Sequence, residues 1–187
     1  MKKKFYYILL LCVITLGSAC NKNNDCYTKA GSPIMYEQTL PSFDTLQVFN
    51  GITLFIKQGP VAKAKIETKE NIKPNLSLEV VNNKLTLKDN SGCGLFGNFG
   101  ETTITITTPN LYKLMSYTEQ NIYSIDTLKF PVLRVESNSN TVGAGVGDIY
   151  LTVNNLLTTF ESNSVSQFYV NGFSSRVYFG FFGGSPQ

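Results

Sequence analysis

Glutamates 136 and 161 are the side chains whose spacing comes nearest to an acid–base pair. They lie in a repeat, Val135-Glu136-Ser137-Asn138-Ser139 returning as Phe160-Glu161-Ser162-Asn163-Ser164, 25 residues later. A repeat at such a step marks strands stacked coil on coil. Stacking at ~4.8 Å would bring the two carboxylates close enough to share a proton or act as a hydrolytic pair. Several features weigh against that chemistry. Arg134 neighbours Glu136, Asp126 and Asp148 show no convergence with the pair, and the chain has no histidine to serve as general base. No serine sits in a nucleophile-elbow pattern, and Gly143-Ala144-Gly145-Val146-Gly147 lacks the following helix that a phosphate loop requires. The expectation is two solvated glutamates on a polar sheet face, with no catalytic residue assigned.

Binding chemistry fits the composition better. Serines, threonines and asparagines recur through the second half of the chain, with Tyr112, Tyr117, Tyr123, Tyr150 and Tyr169 among them. A tyrosine offers a rigid apolar face with a polar tip. The expected ligand-facing set is Glu136, Glu161, Tyr117, Asn138 and Asn163, and the expected ligand is a glycan or a protein.

The cysteines point to a place of work. Lys2, Lys3 and Lys4 precede an apolar stretch over residues 5–16, and Leu16-Gly17-Ser18-Ala19-Cys20 forms a small-residue cleavage box ending in cysteine. The segment resembles a bacterial lipoprotein signal, and its apolar stretch is shorter than the ~20 residues of a spanning helix. Cleavage before Cys20 and acylation of that cysteine would make lipid the whole membrane attachment, since two or more acyl chains hold stably where one does not. The expected location is a bacterial cell envelope, most simply the outer membrane. Removing residues 1–19 also removes three of the sixteen Lys and Arg, leaving thirteen cationic side chains against thirteen Asp and Glu. The basic balance that would suggest nucleic acid belongs to the signal, and no nucleic-acid partner is expected.

Cys12 leaves with the signal and Cys20 carries lipid, so Cys26 and Cys93 remain. In an oxidising compartment they would form one disulfide, worth about 4 kcal/mol in the chain-entropy model; the alternative is two free thiols. Two cysteines without a histidine make no metal site, and no cofactor is expected.

The elements that must position these residues are strands. Ile52, Leu54 and Ile56 alternate with Thr53, Phe55 and Lys57; Ala62, Ala64 and Ile66 with Lys63, Lys65 and Glu67; Leu76, Leu78 and Val80 with Ser77 and Glu79. Leu85 and Leu87, then Ile104 and Ile106, continue the pattern. Such alternation marks strands with one buried face. Asn50-Gly51, Asn82-Asn83, Asn154-Asn155 and Asn171-Gly172 read as the corners between them. The class is all-β. Echoes at 19 to 25 residues suit the coils of a parallel β-helix, while strands every 8 to 12 residues would suit an antiparallel β-sandwich. The chain divides into a signal (residues 1–19), a lipid anchor and polar tether (20–40) and one domain (41–187).

Several motifs carry a further resemblance. Asp25-Cys26, then Leu40-Pro41-Ser42-Phe43-Asp44-Thr45-Leu46-Gln47-Val48, Gly51-Ile52-Thr53-Leu54 and Gln58-Gly59 come in that order, followed by Asn83-Lys84-Leu85-Thr86-Leu87, Asn90-Ser91-Gly92-Cys93, and Ile104-Thr105-Ile106 running into Pro109-Asn110-Leu111. Together they resemble the autotransporter adhesin, head GIN domain family of exported bacterial lipoproteins, over roughly residues 26 to 187. The resemblance implies a right-handed parallel β-helix, an adhesin-like binding role, and cysteines recurring at positions like Cys26 and Cys93. Two departures stand out. The Gly-Ser-Gly corners of the family are here Tyr117-Thr118-Glu119-Gln120 and Ser137-Asn138-Ser139-Asn140, and the sequence stops at an aromatic run where family members continue, so a truncated domain is expected. The competing functions are a β-helix carbohydrate-active lyase or hydrolase and a purely structural envelope protein.

Overall fold

The computed structural model describes residues 30–91, 102–140 and 143–181. The signal, Cys20 with its expected lipid, and the Cys26 and Cys93 pair lie outside the described residues.

Period-two alternation becomes strands in which every second side chain is sealed from water. In β2 (Thr45–Phe49), β3 (Ile52–Gln58) and β7 (Thr102–Thr108), the side chains of Leu46, Val48, Ile52, Leu54, Ile56, Ile104 and Ile106 are fully buried. Burial of each such side chain is worth about 1.5–3 kcal/mol. All strands but a two-stranded ribbon join one twelve-stranded sheet, and the only helical turn described is the three-residue 3-10 turn Lys73–Asn75.

The sheet is curled and mostly parallel. β8 (Lys113–Tyr117), β9 (Ile122–Ser124), β10 (Val132–Ser137), β13 (Ile149–Ser162) and β14 (Phe168–Phe181) build most of it. The first part of β13 pairs with β9, its last part pairs with β10, and β14 runs along its other side for its whole length. Two limbs result. One stacks β7, β3, β9 and the first halves of β13 and β14; the other stacks β2, β8, β10 and the second halves of the same two long strands. Both limbs feed a single apolar core, from Leu54 and Ile122 on one side to Leu114, Val135 and Phe160 on the other. An antiparallel β-sandwich does not fit this pattern, because eight of the twelve strand ladders are parallel.

Antiparallel pairing is concentrated at the outer end of each limb. β1 (Pro33–Thr39) lies against β4 (Lys63–Lys69), which lies against β7; β5 (Leu76–Val81) lies against β6 (Lys84–Asp89), which lies against β2. The β5–β6 hairpin turns on Asn82 and Asn83 at φ 50° and 60°, the left-handed pair that a tight two-residue corner needs. Three expectations change, one of them at Asn171-Gly172, which lies inside β14 and is not a corner between strands. Residues 33–39 form a strand where the polar sequence suggested tether. Its side chains lie mostly in solvent because β1 is an edge, with Glu37 paired to Lys63 at 3.0 Å. Asn154 and Asn155 are not a turn either: they sit inside β13 where it bends from one limb to the other, and Asn155 is buried with its Oδ1 accepting from Thr158 Oγ1 at 2.8 Å.

Gly172 marks the same bend in β14. Its φ is +102°, and a Cβ there would run into the carbonyl oxygen of Val153, its register partner. Gly172→Ala is therefore expected to cost about 1–3 kcal/mol. In urea unfolding this would appear as a lowered midpoint with an unchanged m-value; a midpoint equal to wild type would refute the close packing at this position.

Candidate functional site

Alternation along β8, β10 and β13 turns Lys113, Arg134, Glu136 and Glu161 to the outer face of one limb. The register places Lys113 beside Arg134, and Glu136 beside Glu161. The carboxylates expected one strand apart are thus neighbours, as the 25-residue repeat implied. They are not solvated: their side chains are 11% and 13% exposed. Lys113 Nζ lies 2.7 Å from Glu136 Oε1, Arg134 Nε lies 3.0 Å from the same oxygen, and Arg134 Nη2 donates a hydrogen bond to Glu161 Oε1. The Arg134 Nε contact is an ion pair without hydrogen-bond alignment. The bond to Glu161 pushes the Arg134 pKa above its ordinary value, with desolvation opposing it and the carboxylate charges of Glu161 and Glu136 adding to it.

The four charges sum to zero, and both glutamates are engaged as ion-pair acceptors. Arg134→Ala would leave two adjacent carboxylates with only Lys113. Breaking a buried pair costs about 3–5 kcal/mol; with Arg134 38% exposed, solvent screening lowers the expected cost to roughly 2 kcal/mol. In a double-mutant cycle, Arg134→Ala with Glu161→Gln should cost less than the sum of the two single changes. Strict additivity would mean that the pair does not interact.

The other expected ligand-facing residues lie at the corners that follow this limb. Tyr117 is 7% exposed and its ring stacks on Phe49 at 4.9 Å and 10°, so it offers a ligand little surface. The Asn138 N–H donates to Ser116 O at 2.9 Å and the Asn163 N–H to Ser137 O at 3.2 Å, continuing the ladder around the corner. Asn163 is exposed, and its Oδ1 accepts from the Ser139 N–H at 2.7 Å. The glycine-rich segment packs onto these corners: β12 (Gly143–Ala144) pairs with β11 (Ser139–Asn140), and the Gly145 carbonyl accepts from both Ser137 and Ser164 hydroxyls. A Cβ on Gly145 would lie 2.5 Å from the carbonyl oxygens of Asn138 and Ser116. This is a packed corner.

The other limb carries a feature whose parts the sequence contained but did not join. Phe55, Tyr123, Tyr150 and Tyr169 are register partners on four successive strands, β3, β9, β13 and β14. Their rings stack with centroids 5.1, 5.1 and 4.6 Å apart and planes within 21° of parallel. Phe55, Tyr123 and Tyr150 are half-buried, while Tyr169, at the sheet edge, is 43% exposed. A polar row runs beside the rings. Asn121 Oδ1 accepts from the Asp148 N–H at 2.9 Å, and Asp148 Oδ1 accepts from the Gln167 N–H at 3.0 Å. Each of these residues also meets the tyrosine two places on: Asn121 Nδ2 donates to Tyr123 Oη at 2.9 Å, Tyr150 Oη to Asp148 at 3.4 Å, and Tyr169 Oη to Gln167 at 2.8 Å. Phe55 is the member that sequence reasoning missed. Its outward parity in β3 was visible, but its pairing with Tyr123 across the chain was not.

Desolvation in the stack, then the Asp148 carboxylate, raises the Tyr150 pKa above the ordinary phenol value of 10.0. A folded-state pKa above the unfolded one means that Tyr150 supports the fold below pH 10 and that this support is lost as pH rises through the raised value. Alkaline difference spectroscopy should find two phenols titrating later than free tyrosine, Tyr150 and Tyr36, whose pKa is also raised by burial. Tyr150→Phe should remove one of the two and soften the alkaline loss of stability; an unchanged titration would contradict the assignment.

Among the described residues no group of three or more His, Cys, Asp or Glu is placed to hold a metal ion.

Comparison with known proteins bears on this geometry. Residues 42–186 match the model of a family described as "Putative auto-transporter adhesin, head GIN domain". No curated protein matches the sequence. Among solved structures, a "putative lipid binding protein" from Parabacteroides distasonis aligns with a TM-score of 0.62 at 14% identity, over 82% of this chain and 64% of that one. A "putative adhesin" from Parabacteroides merdae aligns with a TM-score of 0.52 at 11% identity, over 81% of this chain and 97% of that one. The present chain thus spans under two thirds of the Parabacteroides distasonis protein, and at these identities the likeness is one of fold.

Proposed function

Because this chain belongs to the head GIN domain family of "auto-transporter adhesin" type, we propose that it is a non-enzymatic, adhesin-like protein of the bacterial cell envelope that holds a glycan along the outward ladder of Phe55, Tyr123, Tyr150 and Tyr169. The observation that carries the reading is the ladder itself, four stacked rings with a parallel row of Asn121, Asp148 and Gln167. A sugar presents C–H faces that stack on aromatic rings and hydroxyls that pair with amides and carboxylates. Inner rings of the stack have both faces covered, so Tyr169, at the sheet edge, supplies the free ring face. The ion-paired state of Glu136 and Glu161 favours this reading over a glycoside hydrolase or lyase, which needs a carboxyl group free to exchange a proton.

The same reading includes lipid attachment at Cys20, residence at the outer membrane and a Cys26–Cys93 disulfide. It takes the curled sheet as a right-handed parallel β-helix. Register steps of 25 residues from Val135 to Phe160 and 19 from Ile149 to Phe168 support coils of that size.

A glycan array probed with the purified chain tests the ligand class. Tyr169→Ala should weaken the strongest hit about tenfold, the scale of one aromatic contact, while Glu136→Gln should leave it unchanged. Absence of any glycan signal, or full affinity in Tyr169→Ala, would overturn the glycan assignment.

A further inference from the structure

The three edges of the sheet, β1, β5 and β14, are built differently. At the β1 end the edge is guarded by charge, with Glu37 and Lys63 paired across β1 and β4. At the β14 edge the strand is fourteen residues long, and among the described residues no strand pairs with its far side. Natural edge strands are kept short or carry lysine, proline or inward charges that repel a second strand. Between Phe168 and Phe181, Arg176 is the only charged side chain and there is no proline. The core-facing file of β13 continues into β14 as Phe168, Val170, Val177, Phe179 and Phe181, in register with Ile149, Leu151, Thr158, Phe160 and Ser162. Yet Val170 is 39% exposed, Val177 46%, Phe179 65% and Phe181 71%. The sheet ends on the cross-section of its own core.

We propose that a second copy of this chain covers that end, the two β14 strands pairing antiparallel about a twofold axis that passes between Ser174 and Ser175. This axis lies at the bend, where the register with β13 skips from Asn155–Ser174 to Leu157–Arg176. A rotation there exchanges the two limbs, so the first half of β14 meets the second half of its partner and both cores stay on the same side. A twofold interface must be complementary to itself, and this edge is. Facing the core, Phe168 falls opposite Phe181, Val170 opposite Phe179 and Gly172 opposite Val177. On the outer face Tyr169 falls opposite Gly180, which leaves its ring uncovered, and Phe173 falls opposite Arg176. The lone cation of each strand thus meets an aromatic face, a favourable contact, rather than its own copy. A slip of one residue would turn the apolar file outward. The inference is independent of the ligand proposed above.

Sedimentation velocity on the full chain, with a paired set of variants, tests it. The wild type should sediment as a dimer. Phe173→Arg sets like charges opposite each other at both symmetric positions and should weaken dimerisation about tenfold or more. Adding Arg176→Glu to that variant should restore it, because each new arginine then faces a glutamate. Phe173 is 62% exposed, so the change leaves the core intact, and unchanged circular dichroism would verify that. A wild type that stays monomeric as concentration rises overturns the proposal; slow amide exchange along β14 in that monomer would assign the cover to the chain's own residues. A double variant as weak as Phe173→Arg alone overturns the register.

Discussion

Parallel, in-register strand pairing is the constraint on which the rest of this molecule depends. It sets each side chain about 4.8 Å from its counterpart on the next strand, so like residues stack on like residues wherever the sequence repeats. For apolar and aromatic positions that is favourable: the Ile and Leu files fill the core, and Phe55, Tyr123, Tyr150 and Tyr169 form a continuous pile of rings. For charges it is a hazard, because Glu136 is set beside Glu161 and Lys113 beside Arg134. The quartet resolves both repulsions at once, Arg134 reaching both glutamates and Lys113 reaching the nearer.

The same constraint explains where binding chemistry can sit. The interior is occupied by fully buried Leu, Ile and Phe side chains, packed as densely as protein cores are. Distinctive chemistry is left to the two outer faces and the corners. One outer face spends its charged groups on each other, and at the corners Ser137 and Ser164 donate to the Gly145 carbonyl while Asn163 accepts from the Ser139 N–H. The aromatic limb keeps its last ring, Tyr169, toward solvent.

Much of this was legible from alternation alone, since period two both identifies a strand and tells which face is buried. The 25-residue repeat even fixed one register, Glu136 beside Glu161. What the sequence withheld was information that lies between distant strands. Lys113 joins the quartet only through the β8–β10 pairing, and Phe55 joins the ladder only because β3 meets β9 across more than sixty residues of chain. Burial of the glutamates was missed for the same reason: exposure of an outward side chain depends on what its lateral neighbours are. β1 was read as tether because an edge strand has little apolar demand on its sequence. Asn154-Asn155 was read as a corner because asparagine tolerates turns, although here it serves a bend within one continuous strand.

Strand order in the sheet is not chain order. β2 and β3 come early in the chain but lie inside the stack, with β6 and β7 on one flank and β8 and β9 on the other. A strand flanked on both sides has to be in place before either flank can settle. The short Asn50-Gly51 link joins β2 to β3 at little loop-closure cost, whereas the pairings they template span much longer loops. Folding therefore has a natural seed at β2 and β3 and two growth fronts. The front toward β1 is quenched early by antiparallel strands; the front toward β14 advances one strand at a time as the later sequence becomes available.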